Sequence, residues 1–318
     1  MLIGFAVPVS GGWATPANQV LIAEQAEQLG YHSIWTLQRL VNPAASGDPT
    51  YRNVPDPLVT LAYLAGVTSR VRLGVAIVNM PFVPPPLLAK QAATLDHVSG
   101  GRLDLGLGLG WMPEEFAASG VSMRRRGARA EEYLAALRTL WHDEVSEFHG
   151  EFYDIPPVRF DPKPLQSPEP PLLLGGTSEP ALRRAGRLAS GWISSSQADL
   201  AQIGRAIDIV RESAEKAGRD SSQLRFVCRG AVRVRLDGSA GGPGQRRPLT
   251  GTYDQIRGDF QMLEAQGVTE LFIDLNFDPD LTGPAADPWD TMYLAREALQ
   301  AFAPYDTGGF PTSGAVPL

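Results

Sequence analysis

The chain has 318 residues, of which 43% are hydrophobic and 20% are charged, a composition typical of a globular protein with a large buried core. Its net charge of −7 argues against nucleic-acid binding, because phosphate recognition needs clustered Lys and Arg. The single cysteine, Cys228, excludes an internal disulfide framework. Because we find neither a signal peptide nor an apolar run long enough to span a membrane, we expect a cytoplasmic protein without a membrane partner.

Short β-branched runs alternate with longer amphipathic stretches along the chain, which predicts βα units and a parallel sheet. We expect an α/β fold in which eight strand–helix pairs close into one (β/α)8 TIM barrel over residues 1–318. The predicted strands are Leu2–Val9, His32–Leu37, Val71–Val78, Arg102–Gly108, Leu172–Leu174, Gly191–Ser194, Leu224–Arg235 and Glu270–Leu275. The predicted helices are Pro16–Leu29, Pro57–Thr68, Leu87–Val98, Ala128–Trp141, Glu179–Leu188, Leu200–Ala217, Tyr253–Gln266 and Pro288–Ala303.

Three segments interrupt or follow this alternation. A Pro-rich insertion after the fourth helix, at about residues 143–171, is predicted to be ordered but without a long helix. The Gly-rich stretch at about 237–250 is predicted to be a flexible loop. The tail at 304–318 is rich in Gly and Pro and is expected to pack loosely.

The carboxyl ends of the strands carry the active site in a (β/α)8 barrel. Here those ends are aromatic and apolar, with scattered amides and hydroxyls, and the histidines His32, His97, His142 and His149 lie away from them. A metal centre needs several converging His, Asp or Glu ligands, and a serine triad needs a histidine base. We therefore expect neither kind of site.

A glycine-rich turn at Gly175–Ser178 precedes a predicted helix, and it is the best candidate for an anion site. Glycines allow close approach to the backbone, and the free amides at a helix start favour phosphate. Ser194, Ser195 and Ser196 come from the neighbouring strand end and could add hydroxyl groups. On these residues alone, a simple turn with a Ser N-cap is an equally good interpretation.

Two blocks of sequence resemble a known family. The first comprises Leu88–Asp96, Ser99–Arg102 and Leu105–Trp111, and the second extends from Pro171 to Trp192. In order and spacing, both are similar to the luciferase-like monooxygenase family of flavin and deazaflavin oxidoreductases, and specifically to its coenzyme F-420-dependent branch. The similarity covers about residues 1–300 and implies a TIM barrel of the luciferase-like type.

The resemblance implies a bulge in the third strand, with a non-prolyl cis peptide near Ala76–Ile77 that backs the cofactor ring. It also implies that the protein is a homodimer, which relatives usually form through early helices. The cofactor-binding candidates are Gln38, Ala76, Ile77, Asn79, Gly108, Leu109, Gly110, Trp111, Gly175, Gly176, Thr177, Ser178, Trp192, Ser194, Ser195 and Ser196.

The function implied by the resemblance is hydride transfer between coenzyme F-420 and a small apolar or aromatic substrate. Two alternatives stay open: an FMN-dependent monooxygenase of the same family, and a non-catalytic flavin- or deazaflavin-binding protein. The double glycine at 175–176 favours the deazaflavin branch, whereas Gln38 stands where the family usually has an acid or His, and an amide cannot exchange protons near neutral pH. No catalytic residue is assigned, and the candidates for the substrate pocket are Trp13, Gln38, Met80, Phe82, Trp111 and Met112.

Overall fold

In the computed structural model, which describes residues 1–44, 51–237, 239–240 and 246–304, eight parallel strands close into a barrel. The strands of the chain are β1 (Leu2–Ala6), β2 (Ser33–Thr36), β3 (Arg72–Asn79), β4 (Leu103–Gly108), β5 (Ser146–His149), β6 (Asp154–Val158), β7 (Leu172–Gly175), β8 (Gly191–Ile193), β9 (Arg225–Ala231), β10 (Arg233–Val234), β11 (Thr250–Gly251) and β12 (Glu270–Asp274). Around the barrel the order is β1-β12-β9-β8-β7-β4-β3-β2. The predicted (β/α)8 barrel is confirmed.

Helices follow the barrel strands and cover the outside of the barrel. The helices are α1 (Pro16–Gln28), α2 (Pro57–Ala65), α3 (Pro85–Val98), α4 (Pro113–Ala118), α5 (Arg126–His142), α6 (Glu179–Leu188), α7 (Ile203–Lys216), α8 (Tyr253–Ala265), α9 (Pro279–Thr282) and α10 (Pro288–Ala301). Helix α3 begins two residues before the prediction, because Pro85 fits the first turn, where no backbone N–H is needed. Among the described helices, none is both long and apolar enough to cross a lipid bilayer.

The predicted seventh strand and the three irregular segments differ in detail from the expectation. Instead of one strand over Leu224–Arg235, β9 ends at Ala231, and β10 then leaves the barrel to pair with β11. The Pro-rich insertion contains the antiparallel pair β5–β6. In the predicted flexible loop, Arg246 is bonded to Asp259 of α8, which anchors that end. Residues 238 and 241–245 of this loop and residues 305–318 of the tail lie outside the described residues.

The lumen of the barrel is filled in layers. At the amino-terminal end of the strands, Asp104 accepts hydrogen bonds from Arg72 and Arg225 at 2.6 and 2.7 Å. Glu270 accepts from Arg225 at 2.7 Å and from the Ser33 hydroxyl at 2.5 Å. Burial acts to raise the pKa of Asp104, but Arg225 and Arg72 outweigh it, so this pKa lies below its ordinary value. We call these five side chains the closed-end layer.

An apolar layer lies above the closed-end layer. The Trp35 ring stacks on Phe272 with centroids 4.9 Å apart and an interplanar angle of 16°. Leu173, Ile193 and Val227 pack around this pair, in a cluster separate from the core between strands and helices. The lumen is therefore closed from below, and its open space lies toward the carboxyl ends of the strands.

Candidate functional site

A bulge shapes β3 near the open end of the lumen at the carboxyl ends of the strands, which we call the mouth. The register between β3 and β4 shifts between Val75 and Val78, and the peptide bond Ala76–Ile77 is cis and non-prolyl. The expected bulge and its cis peptide are thus confirmed. Ile77 is partly exposed although the residues on both sides of it are buried, so its side chain faces the opening of the lumen.

Glycines of β4, which pairs with β3, and of β7, the next strand around the barrel, make room for the Ile77 side chain. A Cβ atom at Gly108 would lie 1.7 Å from Ile77 Cδ1, and one at Gly106 would lie 2.1 Å from the Val75 carbonyl oxygen. At Gly175 of β7 the corresponding distance to Ile77 Cδ1 would be 3.4 Å. The Ile77 side chain therefore lies close against β4 and β7, and we call Ile77 with these three glycines the glycine cradle.

An amide network fixes the loop that follows β4. The Asn79 backbone N–H donates to Gln38 Oε1 at 2.9 Å, and the Asn79 side-chain oxygen accepts from the Gly110 N–H at 2.8 Å. Arg126 of α5 donates to the Gly110 carbonyl at 2.7 Å. The structure thus brings the candidate residues Gln38 and Asn79 close to the candidate segment Gly108–Trp111. The two side-chain amides hold the loop in place through these hydrogen bonds.

The glycine turn after β7 lies at the amino terminus of α6. Gly176 has a φ of +143°, which favours glycine, and a Cβ there would lie 2.5 Å from Ala181 Cβ. Trp192 Nε1 donates to the Gly176 carbonyl at 2.8 Å, so this buried indole supports the turn from behind. Thr177 and Ser178 are exposed, and the N-cap residue Ser178 makes no side-chain bond to the helix amides. The Ala181 N–H donates to the Ser178 carbonyl and Pro180 has no N–H, so Glu179 carries the first-turn donor of α6 that is left for a ligand.

The three candidate serines after β8 have different surroundings. Ser194 is buried, and its hydroxyl accepts a hydrogen bond from the Arg229 backbone N–H at 2.9 Å. Ser195 and Ser196 are half-buried, and the Ser195 hydroxyl accepts from the Gln197 N–H at 3.2 Å. Ser195 and Ser196 are thus the two hydroxyls within reach of a ligand at the opening, while Ser194 joins neighbouring strands.

An ion pair ties the loop after β2 to helix α4 at the rim. Arg39 Nη1 lies 2.9 Å from Glu115 Oε2, and both side chains are buried. The Leu40 N–H donates to Glu115 Oε1 at 2.8 Å. The Arg39 guanidinium lies 4.1 Å from the centroid of the Tyr51 ring and 5.0 Å from that of Trp111. Glu115 is therefore the partner of Arg39 and holds one wall of the mouth.

The residues expected in the substrate pocket divide by exposure. Trp111 is 59% exposed at the rim, and Phe82 is half-buried with its ring edge-on to Phe116. Trp13 is fully buried, and Met80 and Met112 are 2% and 5% exposed. Trp13 and Met80 belong to the core and Met112 contacts Arg39, so Trp111 and Phe82 are the two candidates that offer aromatic surface at the opening.

An arginine and an aspartate near the open end of the lumen were not among the residues predicted from the sequence. Arg229 Nε donates to Asp274 Oδ2 at 2.7 Å, and Arg229 Nη1 donates to the Ala76 carbonyl at 3.1 Å. Asp274 is fully buried and also accepts from the Asn276 backbone and side chain at 3.0 and 2.9 Å. The signal was present in the sequence, because Arg229 and Asp274 each follow another charged residue at a spacing of four, which places both on one face of a strand.

The histidines lie away from the mouth, as predicted. His32 precedes β2 beside the closed-end layer, and burial, ahead of the opposing effects of Glu270 and Asp104, lowers its pKa. His149 bonds Glu147 and Asp154 on the exposed β5–β6 pair. Among the described residues, no group of three or more His, Cys, Asp or Glu side chains could hold a metal ion.

Comparison with known proteins identifies the family. Residues 2–240, which include the seven barrel strands from β1 to β9, match the luciferase-like monooxygenase family. The chain belongs to this family. The resemblance found in the sequence is thereby confirmed, and the luciferase-like members are oxidoreductases and monooxygenases, which makes this protein an enzyme of that broad class.

Individual relatives differ in cofactor. The chain is 33% identical to the uncharacterized protein Rv0940c of Mycobacterium tuberculosis over 283 residues, 85% of this chain and 88% of that protein. It is 34% identical to the FMNH2-dependent dimethylsulfone monooxygenase of Pseudomonas putida over 164 residues, 50% of this chain and 45% of that enzyme. The solved structure of an F-420-dependent secondary alcohol dehydrogenase with an F-420–acetone adduct is similar with a TM-score of 0.76. It shares 16% identity over 94% of this chain and 98% of that chain, a likeness that shows the fold alone.

Proposed function

We propose that the protein is an oxidoreductase that transfers a hydride between coenzyme F-420 and a small apolar or aromatic substrate. The glycine cradle carries this proposal, because glycines at 106, 108 and 175 let the Ile77 side chain lie close against the strands, which suits the stacking of a flat ring over the bulge. The deazaflavin would supply the hydride chemistry when bound, while the protein positions it.

The cofactor has two candidate anchors in the described residues. We propose that Ala76 and Ile77 back the ring and that the segment Gly108–Trp111 borders it. The turn Gly175–Ser178 would hold the phosphate on its own backbone N–H groups and that of Glu179, with Ser195 and Ser196 beside it. Trp192 and Ser194 support this site through their bonds to Gly176 and Arg229.

An FMN-dependent monooxygenase of the same family is the second candidate. Its support is the 34% identity to an FMNH2-dependent monooxygenase, against which the double glycine at 175–176 stands as the feature that favours F-420. Both cofactors carry a ring of similar shape and a phosphate group, so the cradle and the turn fit either.

A titration with each oxidised cofactor separates these candidates. We expect F-420 to bind with a dissociation constant in the micromolar range or below, followed by cofactor fluorescence at physiological salt, and to bind more tightly than FMN. Preference for FMN would move the protein to the oxygen-dependent monooxygenases. Binding of either cofactor without turnover of any enone, imine or alcohol in a screen would leave a binding protein, and binding of neither would overturn the proposed function.

Substrate and assembly are part of the proposal. We propose that Trp111 and Phe82 form the aromatic wall against which a small substrate packs, above the ring. We also keep the expectation of a homodimer through the early helices. Its support is the outer face of α2, where Val59 and Tyr63 are 67% and 51% exposed.

A further inference from the structure

Arg229 crosses the lumen at the base of the mouth. Its strand β9 and the bulged strand β3 are four strands apart in an eight-stranded barrel, so they face each other across the lumen. Arg229 Nη1 nevertheless reaches the carbonyl of Ala76 at 3.1 Å. The guanidinium therefore lies in the middle of the lumen, against the same cis peptide that presents Ile77 to the opening.

This guanidinium is held by a network of buried groups. Asp274 fixes its Nε at 2.7 Å, and Asn276 holds Asp274 by the two bonds described above. The Asn276 side chain in turn bonds the end of β1, accepting from the Val9 N–H at 2.9 Å and donating to the Val7 carbonyl at 3.0 Å. Arg229 thus cannot move without disturbing three strands.

The held guanidinium keeps a donor edge open. No described residue accepts a hydrogen bond from Nη2, and the Arg229 side chain is 11% exposed, although the Phe277 ring lies 4.4 Å from its centre. Since the layer of Trp35 and Phe272 closes the lumen below, this exposure is toward the mouth. A fixed cation with unused N–H donors is thus offered to whatever lies on the bulge.

We propose that Arg229 binds the pyrimidinedione edge of the cofactor ring and favours the reduced over the oxidised cofactor, an inference that rests on the proposed function. A neutral ring that takes up a hydride, which is two electrons and one proton, gains one negative charge. A positive group at a site with little water stabilises that charge more than it stabilises the neutral ring. FMN and F-420 share this edge, so the inference holds for either.

The test compares the affinities of the two redox states. Under anaerobic conditions, FMN and F-420, each oxidised or reduced with dithionite, are titrated into the wild-type chain. We expect the reduced form to bind at least about tenfold more tightly, a ratio that raises the potential of a two-electron couple by about 30 mV. A wild-type chain that prefers the oxidised form overturns the inference without any variant.

Variants then assign this preference to Arg229. Arg229→Gln alone would leave Asp274 as a bare buried carboxylate, so the deciding variant is the double substitution Arg229→Gln with Asp274→Asn. We expect the double variant to lose about tenfold of the preference for the reduced form, and Arg229→Lys to keep most of it because the charge remains.

Arg138→Gln is the matched control, because Arg138 forms a comparable pair with Glu169 at 2.9 Å on the outside of the barrel and should not change the ratio. If both redox states bind but the double variant keeps the wild-type ratio, Arg229 has only a structural role. This inference then fails, while the proposed function stands. If neither cofactor binds the wild-type chain in either state, the proposed function fails with it.

Discussion

At the closed end of the lumen, Asp104 and Glu270 accept hydrogen bonds from both terminal nitrogens of the Arg225 guanidinium, whereas at the mouth Arg229 has one carboxylate and one carbonyl for its donors. Both arginines lie on β9, four residues apart and on the same face. The closed end thus has two carboxylates for the two arginines Arg72 and Arg225. At the mouth, by contrast, Arg229 has N–H donors that no described residue uses.

This difference indicates that the closed end serves the structure and that the mouth is suited to bind a ligand. Ion pairs whose charges are all matched within the protein serve its structure, and removing one partner of a buried pair is destabilising because the other charge is left uncompensated. A fixed side chain with unused N–H donors, close to the glycine cradle, is arranged for a partner that the chain itself does not supply. Changes at the closed end should therefore alter stability, and changes at the mouth should alter ligand affinity.

The largest expected effect is on stability, from Asp104→Asn at the closed end. The substitution leaves Arg72 and Arg225 with one carboxylate instead of two, and we expect a loss of about 3 kcal/mol in the free energy of unfolding. Urea denaturation measures it. Glu212→Gln, which removes an exposed partner of Lys216, is the control and should stay within about 0.5 kcal/mol. A loss below about 1 kcal/mol would contradict a stabilising role for the closed-end layer.

Gly108→Ala tests the other end of the comparison. The new methyl group would displace the tip of Ile77 into the space above the bulge, so we expect cofactor affinity to fall at least about tenfold, which is 1.4 kcal/mol. The matched control is Gly258→Ala in α8, where nothing lies within 4 Å of an added Cβ. That control should raise stability by up to about 1 kcal/mol and leave affinity unchanged. Unchanged affinity in Gly108→Ala would mean that no ring lies on the cradle.

Two tryptophans give a smaller, paired test. Trp192 donates its indole N–H to the Gly176 carbonyl at 2.8 Å, and Trp35 donates its own to the Ser33 hydroxyl at 2.7 Å. Replacing either by Phe removes the hydrogen bonding of one indole N–H, which at Trp35 also reaches Glu270 Oε1 at 3.2 Å, and each loss is worth about 1 kcal/mol. We expect Trp192→Phe to weaken cofactor binding about fivefold and Trp35→Phe to lower only the thermal midpoint. Equal effects of both on cofactor affinity would remove the distinction between the two ends.

The smallest effect concerns acid stability and Glu27, which lies near the end of α1. Burial acts to raise the pKa of Glu27, but bonds from the backbone N–H groups of Val71, Arg70 and Ser69 outweigh it and lower the pKa from 4.5 to about 2. A carboxylate with a depressed pKa stabilises the fold above its unfolded value and loses that contribution as the pH falls toward 2.

Glu27→Gln should therefore flatten the dependence of unfolding free energy on pH between about 4.5 and 2. The effect is modest because Glu27 is only partly buried and solvent screens its charge. Glu24→Gln on the same helix is the control and should leave the slope as in the wild type. A slope that Glu27→Gln does not change would show that the capped turn before β3 forms without this carboxylate.

Much of the fold could be predicted because each barrel strand is a short apolar run between turn signals. The bulge, the glycine turn and the segment Gly108–Trp111 were predicted because glycine spacing and family resemblance mark them directly. Arg229 and Asp274 could not be found that way, since a charged residue inside a strand is normally interpreted as facing solvent. Only closure of the sheet makes that face the lumen and brings β9 opposite β3.

Burial was the second property that the sequence could not settle. Trp13 follows β1 just as Trp111 follows β4, and both are aromatic residues at a strand end. The structure buries Trp13 and exposes Trp111, because the first loop folds against Thr282 of α9 while the fourth continues into α4 at the rim. Which of two similar loops packs inward depends on distant contacts rather than on local sequence.

The position of Arg229 has a consequence for the order of events during turnover. The lumen below it is filled, so the cofactor and the second reactant share one entrance. A ring that rests on Ile77 lies deeper than anything that enters after it. If the ring binds where we propose, the cofactor would therefore bind before the second reactant and dissociate after the product has left.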